Sequence, residues 1–333
     1  MNNRDNKLVN ILVDFAFKKV FAGDSKESNH ILIDFLNSIL ELKGKDKILE
    51  IVYLNPFNDR EYENDKQSIM DIKVKTEKGE LIDIEVQVND VDDYKKRSLY
   101  YWSKLYGDTI NKGKSYYELK KSIVINILDF NLITENNKFH NVFVIKERDD
   151  NFTFIEDLQI HYIELNKFEN NKDIDTLSDL EEWLTFFKEC NSQGDLNIIR
   201  KLSNQKEEIG VAVEIMKKLS ADEIEYEQYL AREKYLMDEM SKKKYAEYKM
   251  KEINDAYEQK TKELEVKDKE LEVKEKAIEV KDKELEVKDK ELKAATEKLW
   301  LAIKNLLSTG MDKEMIAQVL NVDMALVNEL EGN

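Results

Sequence analysis

The segment 68–88, SIMDIKVKTEKGELIDIEVQV, constrains the fold of this chain more than any other segment. Two runs of alternating apolar residues flank a Lys-Gly pair, a pattern that predicts a β-hairpin. Because successive side chains of a strand point to opposite faces, Asp83, Glu85 and Gln87 share one face of the second strand. Pairing of the two strands would bring Asp71, early in the first strand, close to Glu85 and Gln87. Two carboxylates and an amide would then converge at one sheet surface.

This cluster of oxygen ligands has two interpretations. Hard divalent cations such as Mg²⁺ favour carboxylate and carbonyl oxygens, so the cluster is a candidate metal site. The chain also contains 70 Asp and Glu residues, and an alternating polar face on a strand is commonly the solvated side of a sheet. The hairpin alone leaves both interpretations open.

The order of the acidic residues resembles the core of the PD-(D/E)XK nucleases. That pattern is an acidic residue, a hairpin, and then (D/E)-x-K. In this chain it reads Asp71 followed by Glu85, Val86 and Gln87, with glutamine in place of the usual lysine.

Two flanking blocks extend the resemblance over about the first half of the chain. DFAFKKVF at 14–21 precedes the hairpin, and Arg97, Tyr-Tyr at 100–101 and Lys-Leu-Tyr at 104–106 follow it. The three blocks in this order resemble the Rpn family of recombination-promoting nucleases and related transposases.

The resemblance implies a divalent-metal-dependent DNA endonuclease, which hydrolyses phosphodiester bonds and is linked to recombination or mobile elements. Asp71 and Glu85 would ligate Mg²⁺, or alternatively Mn²⁺ or Ca²⁺, together with the backbone carbonyl of Val86. The ion would lower the pKa of a bound water and stabilise the phosphate charge. Gln87 would orient the attacking water without the positive charge of a lysine.

Three further residues support this expected site. Asp83 is a reserve ligand on the same face of the strand, and Arg97 belongs to the third block. Asp14, in the first block, would either approach the metal or cap and orient its own helix.

The net charge of −17 is unfavourable for a DNA-binding protein, because Lys and Arg supply most of the affinity for phosphate. Positive residues nevertheless cluster just after the hairpin. They are Lys95, Lys96, Arg97, Lys112, Lys114, Lys120 and Lys121. Lys95, Lys96, Lys112 and Lys114 are the candidate DNA contacts, and a solvated helix face explains the same residues nearly as well.

Composition narrows the remaining possibilities. Cys190 is the only cysteine among 333 residues, which excludes an intrachain disulfide and disfavours a zinc site. The histidines His30, His140 and His161 are far apart, which favours structural or exposed positions. No segment reaches the apolar length of a membrane span and the first residues do not resemble a secretory signal, so we expect a cytoplasmic protein without a membrane partner.

The predicted elements define an α/β fold, a nuclease-like mixed sheet flanked by helices, followed by an all-α extension with a long charged helix. Apolar spacing predicts helices at 7–22, 27–42 and 94–112 and strands at 48–54, 122–130, 141–146 and 159–165. We predict four regions along the chain. They are the nuclease-like core at 1–170, a helical extension packed on it at 171–220, a charged helical spacer at 221–293 and a small helical module at 294–333.

The last two regions carry distinctive patterns. Residues 262–289 repeat KELEVKD-like heptads, but their apolar residues are two and five apart, whereas a coiled-coil seam needs spacings of three and four. We therefore predict a charged spacer or a weak homo-oligomerisation arm. Near the end, IAQVLNVDMALV resembles a helix-turn-helix, and a simple helical hairpin fits equally well.

A different class of function remains open. The chain could be a binding or assembly protein built on an inactive nuclease fold and acting through its C-terminal helices. An inactive member would be expected to lose Asp71 or Glu85, and both are present.

Overall fold

A computed structural model describes residues 8–23, 25–54, 71–90, 93–111, 113–169, 171–190 and 194–329. The chain forms two compact units, Met1–Lys244 and Tyr245–Asn333. The first contains a mixed six-stranded sheet and the candidate site, and the second is helical.

The sheet combines parallel and antiparallel strands. Its strands are β1 (Ile51–Tyr53), β2 (Ile72–Thr76), β3 (Leu81–Gln87), β4 (Ser122–Leu128), β5 (His140–Lys146) and β6 (Thr153–Glu164). Their order across the sheet is β1-β2-β3-β4-β6-β5. The β3-β4 and β4-β6 pairs are parallel, and the other pairs are antiparallel.

Helices cover both faces of this sheet. The helices of the described residues are α1 (Asp14–Phe21), α2 (Lys26–Ile39), α3 (Tyr94–Gly107), α4 (Asp179–Glu189), α5 (Leu196–Gln205), α6 (Glu207–Ala221), α7 (Glu223–Ser308), α8 (Lys313–Leu320) and α9 (Met324–Glu329). On one face α1, α2 and α4 to α6 enclose the larger core. On the other face α3 packs over β3, β4 and β6. The predicted α/β class and the flanking helices are therefore confirmed.

The larger core explains why apolar and polar residues alternate along β3. Ile82, Ile84 and Val86 point into it and are buried. Aromatic rings of the helices pack together above them, with Phe21 and Trp183 5.5 Å apart between ring centroids. The polar side chains of β3 are thereby directed to the opposite face, beneath α3.

The first helix is shorter than predicted, because it begins at Asp14 rather than near residue 7. Leu8, Ile11 and Leu12 are buried as their spacing predicts, but they precede the helix, and Ile11 and Leu12 form a turn. The Asn10 side chain accepts a hydrogen bond from the Leu12 amide at 2.9 Å. Such local side-chain bonds compete with the helical hydrogen-bond pattern.

The second unit has its own small core. It contains Ile303, Ile316, Ala317 and Val327. The first part of the predicted helical module at 294–333 is the last segment of the continuous α7, which ends before Gly310, where φ is +77°. Asn321, at φ +52°, separates α8 from α9, as predicted.

The heptad repeats lie on α7 with their apolar side chains exposed. Leu264 and Val266 are 55% and 58% exposed, and the later repeats are similar. The described part of the chain therefore covers neither the leucine nor the valine positions of the repeats. Among the residues that the structure describes, no helix combines the length and apolarity needed to cross a bilayer.

Candidate active site

The β2-β3 hairpin brings Asp71 and Glu85 together, as the alternation predicted. Gly79, at φ +82°, forms the turn, and the register pairs Ile72 with Ile84. Asp71 therefore lies opposite Glu85, and its backbone amide donates to Glu85 Oε1 at 3.3 Å. The Val86 amide donates to Asp71 Oδ2 at 3.1 Å.

The polar face of β3 is buried, which contradicts the interpretation of a solvated strand face. Asp83 is 0% and Glu85 1% exposed. Gln87, at the end of the strand, is half-buried. Two ionisable carboxyls beneath a helix are costly to bury, so their retention calls for a partner or a function.

Each carboxylate of the pair contacts one cation. Lys18 Nζ lies 3.0 Å from Asp71 Oδ1, and Arg97 Nη2 lies 3.2 Å from Glu85 Oε2. The sequence interpretation did not single out Lys18. Its only signal was its place in the DFAFKKVF block, on the helix that packs against the hairpin.

Arg97 is held in place by tyrosines of its own helix. Its guanidinium carbon lies 5.4 Å from the ring centroid of Tyr94 and 5.2 Å from that of Tyr101. Its Nε donates to the Tyr101 hydroxyl at 2.9 Å. The guanidinium is thus positioned by α3 independently of its bond to Glu85.

Burial changes the acidity of the two inner carboxyls. Desolvation and then the charge of Asp71 raise the pKa of Glu85 to about 8, against the lowering effect of Arg97. Desolvation raises the pKa of Asp83 well above its ordinary value, and the charges of Glu85 and Asp71 add to this. The site therefore has a deficit of positive charge.

Asp83 shows this deficit most directly. Both of its carboxyl oxygens are buried without a hydrogen-bond partner. Lys73 lies opposite it in the register, but the Lys73 ammonium bonds Asp108 Oδ2 at 2.6 Å instead.

The donor set fits a hard divalent cation. Asp71 and Glu85 supply carboxylate oxygens, and the Val86 amide already points toward Asp71. The amide and carbonyl of one residue in an extended strand point to the same side, so the Val86 carbonyl is directed there as well. No three His, Cys, Asp or Glu side chains of the described residues converge as metal ligands. Mg²⁺ is commonly bound by one or two carboxylates and keeps several waters, which suits this set.

Asp14 lies apart from the carboxylate pair. Its Oδ1 accepts from Arg232 Nε of α7 at 2.7 Å and from the Phe15 amide at 2.9 Å. The N-cap residue of α1 is Val13. In this structure Asp14 therefore links the start of α1 to α7, while Lys18, one turn later, reaches the site.

The predicted DNA contacts lie on α3 and in the segment after it. Lys95, Lys96 and Lys114 are exposed. Lys96 Nζ lies 2.8 Å from an Asp93 carboxylate oxygen, whereas the nitrogen–oxygen distances in the ion pairs of Lys95 and Lys114 exceed 3.5 Å. Lys112 lies outside the described residues. Exposed pairs of this kind are weak, so these lysines are available to another anion.

A mixed sheet flanked by helices, with an acidic pair on a central hairpin, is consistent with the PD-(D/E)XK nuclease fold. The family model described as PD-(D/E)XK nuclease family transposase matches residues 11–246. The chain belongs to this family, which confirms the resemblance found in the sequence. The match includes Lys18, Asp71, Glu85 and Arg97. Searches of curated proteins and of solved structures found no match.

Proposed function

We propose that this protein is a divalent-metal-dependent endonuclease that hydrolyses phosphodiester bonds in DNA, in recombination or in the movement of mobile elements. The observation that carries the proposal is the pair of carboxyl groups on the β2-β3 hairpin, in which Glu85 is buried and Asp71 is half-buried. The two carboxyl groups lie together despite the cost of burying Glu85, and they belong to a chain of a nuclease and transposase family.

Asp71, Glu85 and the Val86 carbonyl would hold Mg²⁺, with Mn²⁺ or Ca²⁺ as alternatives. When bound, such an ion activates a water and neutralises charge on the phosphate. It would also supply the positive charge that the buried carboxyls lack. Asp83 lies on the same face of β3 as Glu85, and both of its buried carboxyl oxygens lack a hydrogen-bond partner. A cation bound nearby would favour the ionised form of this carboxyl.

In this proposal Gln87 and Lys18 together replace the lysine of the usual (D/E)-x-K pattern, one by orienting water and the other by supplying positive charge. The Gln87 amide can orient the attacking water by hydrogen bonding, but it is neutral. The Lys18 ammonium, 3.0 Å from Asp71, brings a positive charge to the same edge of the site from α1. Positive charge at this position stabilises the additional negative charge that develops on the phosphate during attack.

Arg97 acts as a phosphate ligand in this proposal. Its two tyrosine rings keep the guanidinium beside Glu85. If the Glu85 carboxylate binds a metal ion instead of Arg97, the Arg97 guanidinium loses that partner, but the two tyrosine rings still hold it in place. A guanidinium then presents paired donors to phosphate oxygens, the geometry that arginine favours.

The alternative of an inactive binding protein receives no specific support from the site, because both carboxylates are present and adjacent. Self-association through α7 remains a prediction. The exposed Leu and Val side chains of its repeats are compatible with it.

Nicking of supercoiled plasmid DNA tests the proposal. The wild-type protein would be compared with Asp71→Asn and Glu85→Gln in Mg²⁺, Mn²⁺, Ca²⁺ and EDTA. Glu156→Gln, at an exposed position of β6, is the matched control. We expect cleavage by the wild type and the control that requires a metal, and at least about a hundredfold loss in both site variants. Equal cleavage by all four proteins, or none by the folded wild type, would refute the proposed site.

A further inference from the structure

The segment 94–121 has a charge opposite to that of the chain. It contains eight basic residues and two acidic ones, Asp108 and Glu118, so its net charge is +6 in a chain of −17. Among the described residues, Lys104, Lys120 and Lys121 form no ion pair with a carboxylate. Such a local reversal of charge marks a surface for a polyanion.

Two tyrosines project from this segment into solvent. Tyr116 and Tyr117 are 84% and 94% exposed, which makes them the most exposed large hydrophobic residues of the described chain. Their backbone is ordered in a short 3-10 helix, Tyr116–Glu118. Ser115 Oγ accepts from the Tyr117 amide at 3.4 Å, and the Ser115 carbonyl accepts from the Glu118 amide at 2.9 Å. The two rings are therefore presented by a defined turn.

The tyrosine turn is connected to the active site through α3. Arg97, in the first turn of α3, contacts Glu85. From Arg97 the helix continues to Gly107, a distance of about 15 Å along its axis. The segment after it is anchored where the Lys120 amide donates to Thr109 Oγ1 at 3.2 Å. The Lys121 carbonyl accepts from the Leu81 amide at 3.1 Å.

This anchoring places Lys121 beside the first residue of β3, and Glu85 is four residues further along that strand. The separation along the strand is about 13 Å. A strand of nucleic acid that extends from the active site along α3 for a few nucleotides would reach the tyrosine turn. The elements along this path carry exposed basic side chains, namely Lys95 and Lys96 of α3 and Lys114 and Lys120 of the segment after it.

We propose that Tyr116 and Tyr117 stack bases of a single-stranded DNA segment that continues from the strand held at Asp71 and Glu85. Exposed aromatic rings beside basic residues form the usual platform for single strands, because every unpaired base offers a ring face. The rings of a duplex are stacked on each other and are not accessible. This inference rests on the proposed function and names its substrate class as DNA with a single-stranded segment next to the cleavage position.

Binding without cleavage is measured first, by fluorescence anisotropy of a labelled thymidine oligonucleotide in EDTA. The proteins are the wild type, the double variant Tyr116→Ala/Tyr117→Ala and the double variant Tyr116→Phe/Tyr117→Phe. Tyr245→Ala/Tyr248→Ala, at two exposed positions of α7, is the control. We expect at least about 30-fold weaker binding for the Ala pair at 116 and 117. The Phe pair and the control should stay within about threefold of the wild type, because both retain the stacking rings.

A duplex of the same length should bind the wild type and the Ala pair within about threefold of each other, because it offers no ring faces. An Ala pair that binds the oligonucleotide as tightly as the wild type would overturn the proposal and assign the two rings to a protein partner instead. Failure of the wild type to bind the oligonucleotide would overturn it as well.

Cleavage in Mg²⁺ separates this inference from the proposed function. Equal cleavage of overhang-bearing and single-stranded DNA by the wild type and the Ala pair would keep the nuclease and overturn the stacking surface. Tyrosine-dependent binding without any cleavage by the wild type would refute the nuclease and support the single-strand surface.

Discussion

Replacement of Glu85 by glutamine is expected to stabilise the metal-free protein. The fold raises the pKa of Glu85 from 4.5 to about 8, so at pH 7 the native state retains a proton that the unfolded chain has released. Each pH unit between these two values costs about 1.4 kcal/mol. Burial of Glu85 therefore costs about 3 kcal/mol at pH 7, and glutamine, which has nearly the same shape and does not ionise, removes this cost.

The sign of the pH dependence distinguishes this effect from simple repacking. Because the native state binds more protons than the unfolded state, the free energy of unfolding of the wild type falls as pH rises from 4.5 toward 8. The difference between Glu85→Gln and the wild type should therefore grow by about 1.4 kcal/mol per pH unit, or about 4 kcal/mol between pH 5 and pH 8.

Urea unfolding in EDTA at pH 5, 6, 7 and 8, followed by tryptophan fluorescence, measures this difference. Glu156→Gln is the control and should show no such trend. A difference between Glu85→Gln and the wild type that stays constant with pH, or a variant less stable than the wild type at pH 8, would refute the argument that Glu85 is buried at the expense of stability.

Three further predictions address the rest of the first unit. Lys206 is almost buried, with its ammonium 3.0 Å from Asp34. Lys206→Met should lower the free energy of unfolding by about 3 kcal/mol, and an unchanged thermal midpoint would contradict this. Burial lowers the pKa of His161 to about 3. Below pH 6.5 the unfolded chain therefore binds a proton that the native state does not, and the free energy of unfolding falls. His161→Gln should remove about 2 kcal/mol of the destabilisation between pH 7 and pH 5, measured by urea unfolding at both pH values, and an unchanged acid sensitivity would contradict this. Lys18→Met should lower Mg²⁺-dependent nicking by about tenfold to a hundredfold, with partial retention in Lys18→Arg, whereas full activity of Lys18→Met would remove Lys18 from the site beside Asp71.

The hairpin and the shared face of its acidic residues could be predicted because side chains alternate along a strand. The burial of that face could not. Alternation shows that Asp83 and Glu85 point the same way, but not whether water or a helix covers them. The tyrosines of α3, Tyr94 and Tyr101, carry the missing information, since their rings cover this face and hold Arg97.

The role of Lys18 could not be predicted for a different reason. It is 53 positions from Asp71 in the chain, and only the tertiary packing of α1 against the hairpin brings the two together. Helical spacing predicted which side chains of α1 enter the core, whereas it contains no information on which cation of that helix reaches a distant carboxylate.

The position of Asp14 and the start of α1 illustrate a limit of local patterns. Apolar spacing extends the predicted helix to residue 7, but the Asn10 side chain binds the Leu12 amide and the helix begins at Asp14. Asp14 then pairs with Arg232, more than two hundred residues later. A contact over that distance leaves no trace in the local sequence.

Binding of Mn²⁺, measured by isothermal titration calorimetry, tests most directly the central claim that Asp71 and Glu85 form a divalent-cation site. We predict one site in the wild type and in Glu156→Gln. In Asp71→Asn and Glu85→Gln we predict that this site is lost or weakened by at least about a hundredfold. Undiminished binding in both site variants, or no binding by the folded wild type, would contradict the claim.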